Sequence, residues 1–284
     1  MKILVTGLGG FTGPYLKNDL EAHGHTVIGL ASNLLDAPAL NAEIQYLCPD
    51  AVVHLAGIAF VGHGDPNAFY QVNLLGSRNL LAALSGCNPL PKCVLLASSA
   101  NIYGNARVEI ITEDTPANPT NDYAVSKLAM EYMAPLWSDK LPIVIARPFN
   151  YTGVGQEESF LLPKIVSHFR RRDASIELGN LDVTRDISDV RVVVECYRRL
   201  IECPAAVGGT FNVCSGRAVS LLQVLDIMRS ISRHDIDVRV NPAYVRQNEV
   251  SFLLGSWSRL EAVIGRGNDI AIEQTLRWML ESDT

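Results

Sequence analysis

The chain reads as an α/β protein built on a doubly wound parallel sheet, and three observations predict this. Short apolar runs at 2–6, 26–30, 50–57, 92–99 and 141–147 are separated by helix-like stretches. The later runs are nearly continuous in apolar residues, as strands covered on both faces are. The first run passes through a cluster of glycines directly into a helix. Alternating strands and helices give a parallel sheet whose ligands bind beyond the carboxyl ends of the strands. That rule sets Gly7, Gly57, Ser99 and Asn150 along one rim.

After the first strand come Gly7-Leu8-Gly9-Gly10-Phe11-Thr12-Gly13, and Pro14 suits a first helical turn. Glycines at this place allow a tight strand-to-helix turn and let backbone N–H groups approach a pyrophosphate at the helix N-terminus. The position after the first strand points to a dinucleotide site in a Rossmann-type sheet, although Gly-x-x-Gly-x-x-Gly is looser than the tightest fingerprint. The helix is predicted to end near Gly24, and the second strand to run over 26–30. An NAD site normally places an acid at the end of that strand, on the ribose 2′-hydroxyl. Ala31, Ser32 and Asn33 stand there instead, with no carboxylate to repel a 2′-phosphate and no arginine to grip one. NADP(H) is therefore the favoured coenzyme, with NAD(H) possible. Asp36 reads as a helix N-cap or an adenine contact, and His54, inside a strand, as a satisfied core histidine.

Helices are predicted over 66–85 and 121–137, the second opened by Pro119 and Asn121. After Pro148 the composition changes, and an apolar helix-like stretch covers 160–170. Residues 1–150 and 183–215 are expected to form the dinucleotide-binding domain, since helix-like 189–202 and strand-like 210–214 return to the main sheet. Residues 151–182 and 216–284 are expected to form the smaller C-terminal substrate-binding lobe.

Tyr123 and Lys127 sit four residues apart and share one face of the 121–137 helix. A positive neighbour favours the phenolate and pulls a pKa of about 10 toward neutrality, where a proton donor or acceptor is most useful. The same spacing also occurs on ordinary exposed helices, so the pair gains meaning only from its surroundings.

At 284 residues and 48% hydrophobic the chain can bury a large core. A net charge of −6 leaves no footprint for nucleic acid. Arg170 to Arg172 reads as a solvated helix end. The six cysteines show neither metal-ligand spacing nor a disulfide framework, and no metal site is expected. No apolar run is long enough to cross a membrane and no signal segment precedes the first strand, so a soluble cytoplasmic protein is expected.

Taken together, the glycine motif at 7–13, His-Leu-Ala-Gly at 54–57, Asn73, Ser-Ser-Ala-Asn-Ile-Tyr-Gly at 98–104, Tyr123 with Lys127, and Arg-Pro-Phe-Asn at 147–150 resemble the extended short-chain dehydrogenase/reductases. Gly179 to Asp189 and Phe211 to Gly216 look most like the GDP-4-keto-6-deoxy-D-mannose reductases within that family. The resemblance implies a catalytic set of Ser99, Tyr123 and Lys127, with Tyr123 as proton donor and Lys127 on the nicotinamide ribose. It implies coenzyme contacts at Gly7, Gly10, Phe11, Thr12, Gly13, Ser32, Asn33, Leu55, Ala56, Gly57, Asn73 and Arg147, besides Tyr123 and Lys127. Ser99, Asn101, Asn150, Arg185, Arg246 and Glu249 are implied to hold a nucleotide-diphosphate sugar. A homodimer paired through the helices at 66–85 and 121–137 is expected by the same analogy.

Departures narrow the chemistry. Sugar-nucleotide 4,6-dehydratases follow the serine or threonine with an acidic pair, whereas this chain has Ala100 and Asn101. Fucose synthases use a cysteine where Asn101 stands and a histidine after the Arg-Pro-Phe-Asn segment, and this chain has no histidine between 150 and 160. Ile187 replaces an aromatic residue, and Val192-Val193 an acidic position. What remains is hydride transfer from NAD(P)H to the C4 carbonyl of a nucleotide-linked 4-keto-6-deoxyhexose. The alternatives are a 4-epimerase with tightly bound NAD, or a non-catalytic dinucleotide sensor, which would generally lack the Tyr/Lys pair.

Overall fold

A computed structural model of the chain describes residues 1–60, 64–106, 108–245 and 250–282. Strand β1 (Lys2–Thr6) leads into α1 (Thr12–Ala22), followed by β2 (Thr26–Gly29), α2 (Ala37–Leu47) and β3 (Ala51–His54). Asp36 caps α2, its side chain accepting from Ala39 N at 3.1 Å. Helix α3 (Pro66–Phe69) runs through π-helical turns at Tyr70–Gly76 into α4 (Ser77–Leu84). Then come β4 (Val94–Ala97), α5 (Asp122–Met133) and β5 (Ile143–Pro148). Asn121 starts α5 by accepting from Ala124 N at 2.9 Å.

The second half holds β6 (Asn150–Thr152), α6 (Leu161–Arg171), β7 (Ser175–Leu178), β8 (Thr184–Asp189), α7 (Val190–Glu202) and β9 (Thr210–Val213). It ends with β10 (Ala218–Ser220), α8 (Leu221–Ser232), β11 (Asp237–Val240), β12 (Phe252–Leu253), α9 (Ser258–Ile264) and α10 (Ile272–Glu281).

The main sheet is six-stranded and wholly parallel, in the order β2-β1-β3-β4-β5-β9. Its inner strands are buried on both faces, which is why their sequences do not alternate. Helices α1 and α7 cover one face, where Ile3, Val5, Leu16, Leu20, Val194 and Tyr197 pack together. Helices α2, α4 and α5 cover the other, through Leu4, Leu40, Ile44, Leu80, Leu84 and Met130. This is the doubly wound Rossmann-type arrangement, and β9 joins the sheet beside β5 as the pattern at 210–214 predicts.

A separate core lies among α6, α8 and α10 against the parallel pair β7 and β11, with Ile165, Phe169, Leu225 and Leu276 at its centre. The chain crosses between the two bodies more than once. Strand β8 pairs with β6, β10 and β12 outside the main sheet, whereas Leu260 of α9 packs into the core of α1 and α7. All six cysteines are free thiols, and among the described residues no group of side chains could hold a metal. Among them, too, no helix is long and apolar enough to cross a membrane.

Candidate active site

The turn out of β1 is built around two close approaches. Gly7 has φ +74°, and a Cβ there would lie 2.8 Å from Ala56 N. A Cβ on Gly13 would lie 2.2 Å from Leu8 O. Neither position tolerates a side chain. Phe11, which precedes α1, makes no side-chain cap, and the first turn carries no acid. An uncapped helix start of this kind suits a pyrophosphate, so the loop fits a dinucleotide. The Phe11 ring stacks on Tyr151 at 6.0 Å, and the Thr12 hydroxyl hydrogen-bonds the Tyr151 hydroxyl at 2.9 Å.

The chemistry-bearing groups meet farther along the same rim. Ser99, just past β4, and Tyr123 and Lys127 on α5 are only 7%, 7% and 5% exposed. The Tyr123 phenol lies beside Ser99, whose Oγ accepts from Asn101 N at 3.2 Å. Lys127 Nζ donates to Ala97 O at 2.7 Å. A Cβ on Gly57 would lie 3.3 Å from that ammonium and 2.8 Å from Asn73 Oδ1, so the glycine keeps this approach open.

The proton affinities depart from the spacing argument. Burial pushes Tyr123 up to about 12 against the lowering hydrogen bond from Ser99, with the Tyr151 phenol adding to the rise. Burial also lowers Lys127 to about 8, opposed by the Glu131 carboxylate. Lys127 therefore does not hold the phenol near neutrality. For both groups the cost of taking the charged form out of water decides the shift. Tyr123 keeps its proton, as a donor should.

The remaining predicted contacts divide. Leu55, Ala56 and Gly57 follow β3 at the rim, with Ala56 N bound to Thr6 Oγ1 at 3.1 Å. Asn73 is fully buried in the π-helical turns and ties Ile58 N at 2.9 Å to Ser126 Oγ at 3.0 Å, so its side chain acts as a brace. Arg147 is engaged by both carboxylate oxygens of Glu131, by the Tyr103 hydroxyl at 2.8 Å and by Glu113 O at 3.0 Å. Asn33 Oδ1 accepts from Leu35 N at 2.9 Å and so closes a turn. Asn150 is exposed at the start of β6, and Arg185 on β8 donates to Thr184 O and Ser251 O. Arg246 and Glu249 lie outside the described residues. His54 is satisfied by Thr6 Oγ1 at 2.7 Å and Ser77 Oγ at 2.8 Å, and burial holds it neutral by lowering it to about 3.

Three participants stand outside the set expected from sequence. Glu131 carries the buried ion pair with Arg147 and stands one turn beyond Lys127 on α5. Tyr151 contributes a second, half-buried phenol near Tyr123. Glu43 on α2 binds the backbone at the end of β2, accepting from Ala31 N at 2.8 Å and Ser32 N at 2.7 Å. The i to i+4 position of Glu131 relative to Lys127 was a readable signal. The other two contacts are tertiary and leave none.

A family model described as the NAD dependent epimerase/dehydratase family matches residues 3–214. A GDP-6-deoxy-D-talose 4-dehydrogenase from Aggregatibacter actinomycetemcomitans is 35% identical over 271 residues, covering 93% of this chain and 92% of its own. A GDP-6-deoxy-D-mannose reductase from Pseudomonas aeruginosa is 34% identical over 295 residues, covering 98% and 96%. Among solved structures, a protein of Burkholderia cenocepacia J2315 described as a candidate epimerase superposes with a TM-score of 0.93 at 49% identity, over 99% of this chain and 97% of that one. The RMD protein of Pseudomonas aeruginosa complexed with NADPH gives 0.89 at 33% identity, over 98% and 97%.

Proposed function

From the premise that this chain belongs to the NAD dependent epimerase/dehydratase family, we propose that it reduces the C4 keto group of a nucleotide-linked 4-keto-6-deoxyhexose, GDP-4-keto-6-deoxy-D-mannose before others. It is an NAD(P)-dependent oxidoreductase acting on nucleotide sugars. The observation that carries the finer reading is the burial of Ser99, Tyr123 and Lys127 together, followed by Ala100 and Asn101 where a dehydratase would need acids.

A bound reduced nicotinamide would supply the hydride. Ser99 Oγ positions the carbonyl oxygen, and Tyr123 donates its proton to the nascent alkoxide. A phenol held at about 12 is protonated throughout the neutral range, which suits donation better than abstraction. Lys127 holds the ribose, while Asn150 and Arg185 at the lobe carry the diphosphate, for which a guanidinium fork is well matched. Exposed Leu75, Val125, Tyr132 and Leu136 on the α4 and α5 side offer an apolar face for a homodimer.

Incubation with GDP-, dTDP- and UDP-4-keto-6-deoxy sugars and reduced coenzyme tests the reading. Coenzyme oxidation with the GDP sugar first is expected; none with any keto sugar would overturn it. NAD released on denaturing the purified protein would favour the epimerase.

A further inference from the structure

Strands β1 and β2 are in parallel register with Val5 opposite Gly29, so Gly7 and Ala31 are equivalent points just past the sheet. A dinucleotide whose pyrophosphate sits at 7–13 brings its adenosine ribose to Ala31 and Ser32. At that spot the carboxylate of Glu43 accepts from the backbone N–H of both residues, at 2.8 and 2.7 Å. Burial would raise this carboxyl, but hydrogen bonding to Ser32 and Ala31 outweighs it and holds it below its ordinary value, so it is ionised at neutral pH. Of the other polar groups nearby, Asn33 Oδ1 accepts from Leu35 N and Asp36 Oδ1 from Ala39 N.

We propose that Glu43 is the specificity-determining residue for the coenzyme's adenosine ribose, selecting NAD(H) over NADP(H). A carboxylate offers about four lone-pair sites. The two hydrogen bonds from the backbone of residues 31 and 32, one to each oxygen, leave lone pairs to accept from a ribose 2′-hydroxyl. A 2′-phosphate brings like charge to the same place and finds its backbone donors already taken. The preference expected from residues 31–33 is thereby reversed, because the acid arrives from α2 rather than from the strand end. The inference rests on the coenzyme lying along this rim and not on the identity of the sugar.

The test is a fluorescence titration of the full-length protein with NADH and NADPH, without sugar, so that a wrong substrate assignment leaves it unaffected. Wild type is expected to bind NADH at least about tenfold more tightly, as a like charge at close range dictates. Glu43→Gln should close most of that gap by strengthening NADPH binding, and Glu43→Lys should invert it. A tighter grip of wild type on NADPH overturns the proposal without any variant. So does equal weakening of both coenzymes in Glu43→Gln, which is what a mere loop cap would give.

Discussion

The two ends of the coenzyme rim are built on opposite principles. Beyond β4, Ser99, Tyr123 and Lys127 are sealed from solvent, and burial dominates the proton affinity of both the phenol and the ammonium. Beyond β2, Ala31 and Asn33 are exposed, and an ionised carboxylate is held by backbone N–H groups in reach of water. Charges in the first region act through desolvation and are little screened, whereas charges in the second are screened by solvent and salt. Substitutions should therefore cost most in the sealed end and progressively less toward the open surface.

The sharpest test is Tyr123→Phe, which removes the proton and leaves the ring. We expect kcat to fall at least about a hundredfold, the low end for a lost general acid, with coenzyme affinity nearly unchanged. Retained turnover would mean that the sealed end is not where the proton comes from.

Next in size is a pH limb. Lys127 is depressed from its ordinary value to about 8, so its ammonium is present below that pH and lost above it. Activity should fall about tenfold per pH unit beyond the limb, as loss of one essential proton requires, and the limb should vanish in Lys127→Met together with much of the coenzyme affinity. A profile flat to pH 10 in wild type would show that the ammonium is better solvated than its surroundings indicate.

What could be read in advance follows the same division. The sheet and its helices were legible because apolar runs and glycines are local signals, and Ser99, Tyr123 and Lys127 do lie buried at the end of β4. The direction of the phenol's shift was not legible, since burial is a property of the assembled fold. Strands of the smaller body were missed for another reason. β12 is two residues long and β11 is largely exposed, so they are held by pairing with β8 and β7 rather than by any pattern of their own. The π-helical turns around Asn73 and the reach of Glu43 to residues 31 and 32 are likewise contacts between segments, to which composition and periodicity are blind.

A smaller effect is expected from Arg185→Ala. A diphosphate distant from the reacting carbon is bound alike in ground and transition states, so KM for the sugar nucleotide should rise several-fold, on the order of one lost ionic contact, while kcat holds. Steady-state kinetics distinguishes the two: a fall in kcat at constant KM would bring Arg185 to the sealed end of the comparison.

The last expectation is an absence of effect, and it concerns the segment that follows Ser99 at the sealed end. Dehydration of a hexose needs one group to take the C5 proton and another to protonate the departing C6 hydroxyl, both beyond Tyr123. After Ser99 the chain offers a buried methyl at Ala100 and the amide of Asn101, which cannot exchange a proton at neutral pH. The two buried carboxylates nearby in the fold are committed: Glu131 is forked to Arg147, and Glu113 accepts from Asn212 N at 2.8 Å and faces Arg259 at 3.7 Å. Freeing either would strand a buried charge, at a cost of about 3–5 kcal/mol for a broken buried pair. GDP-mannose incubated with the protein and oxidised coenzyme should therefore keep its mass, and the keto sugar must come from a separate dehydration. A product lighter by one water, seen by mass spectrometry, would mean that one of these carboxylates leaves its arginine during turnover, and the assignment of the site to reduction alone would fall.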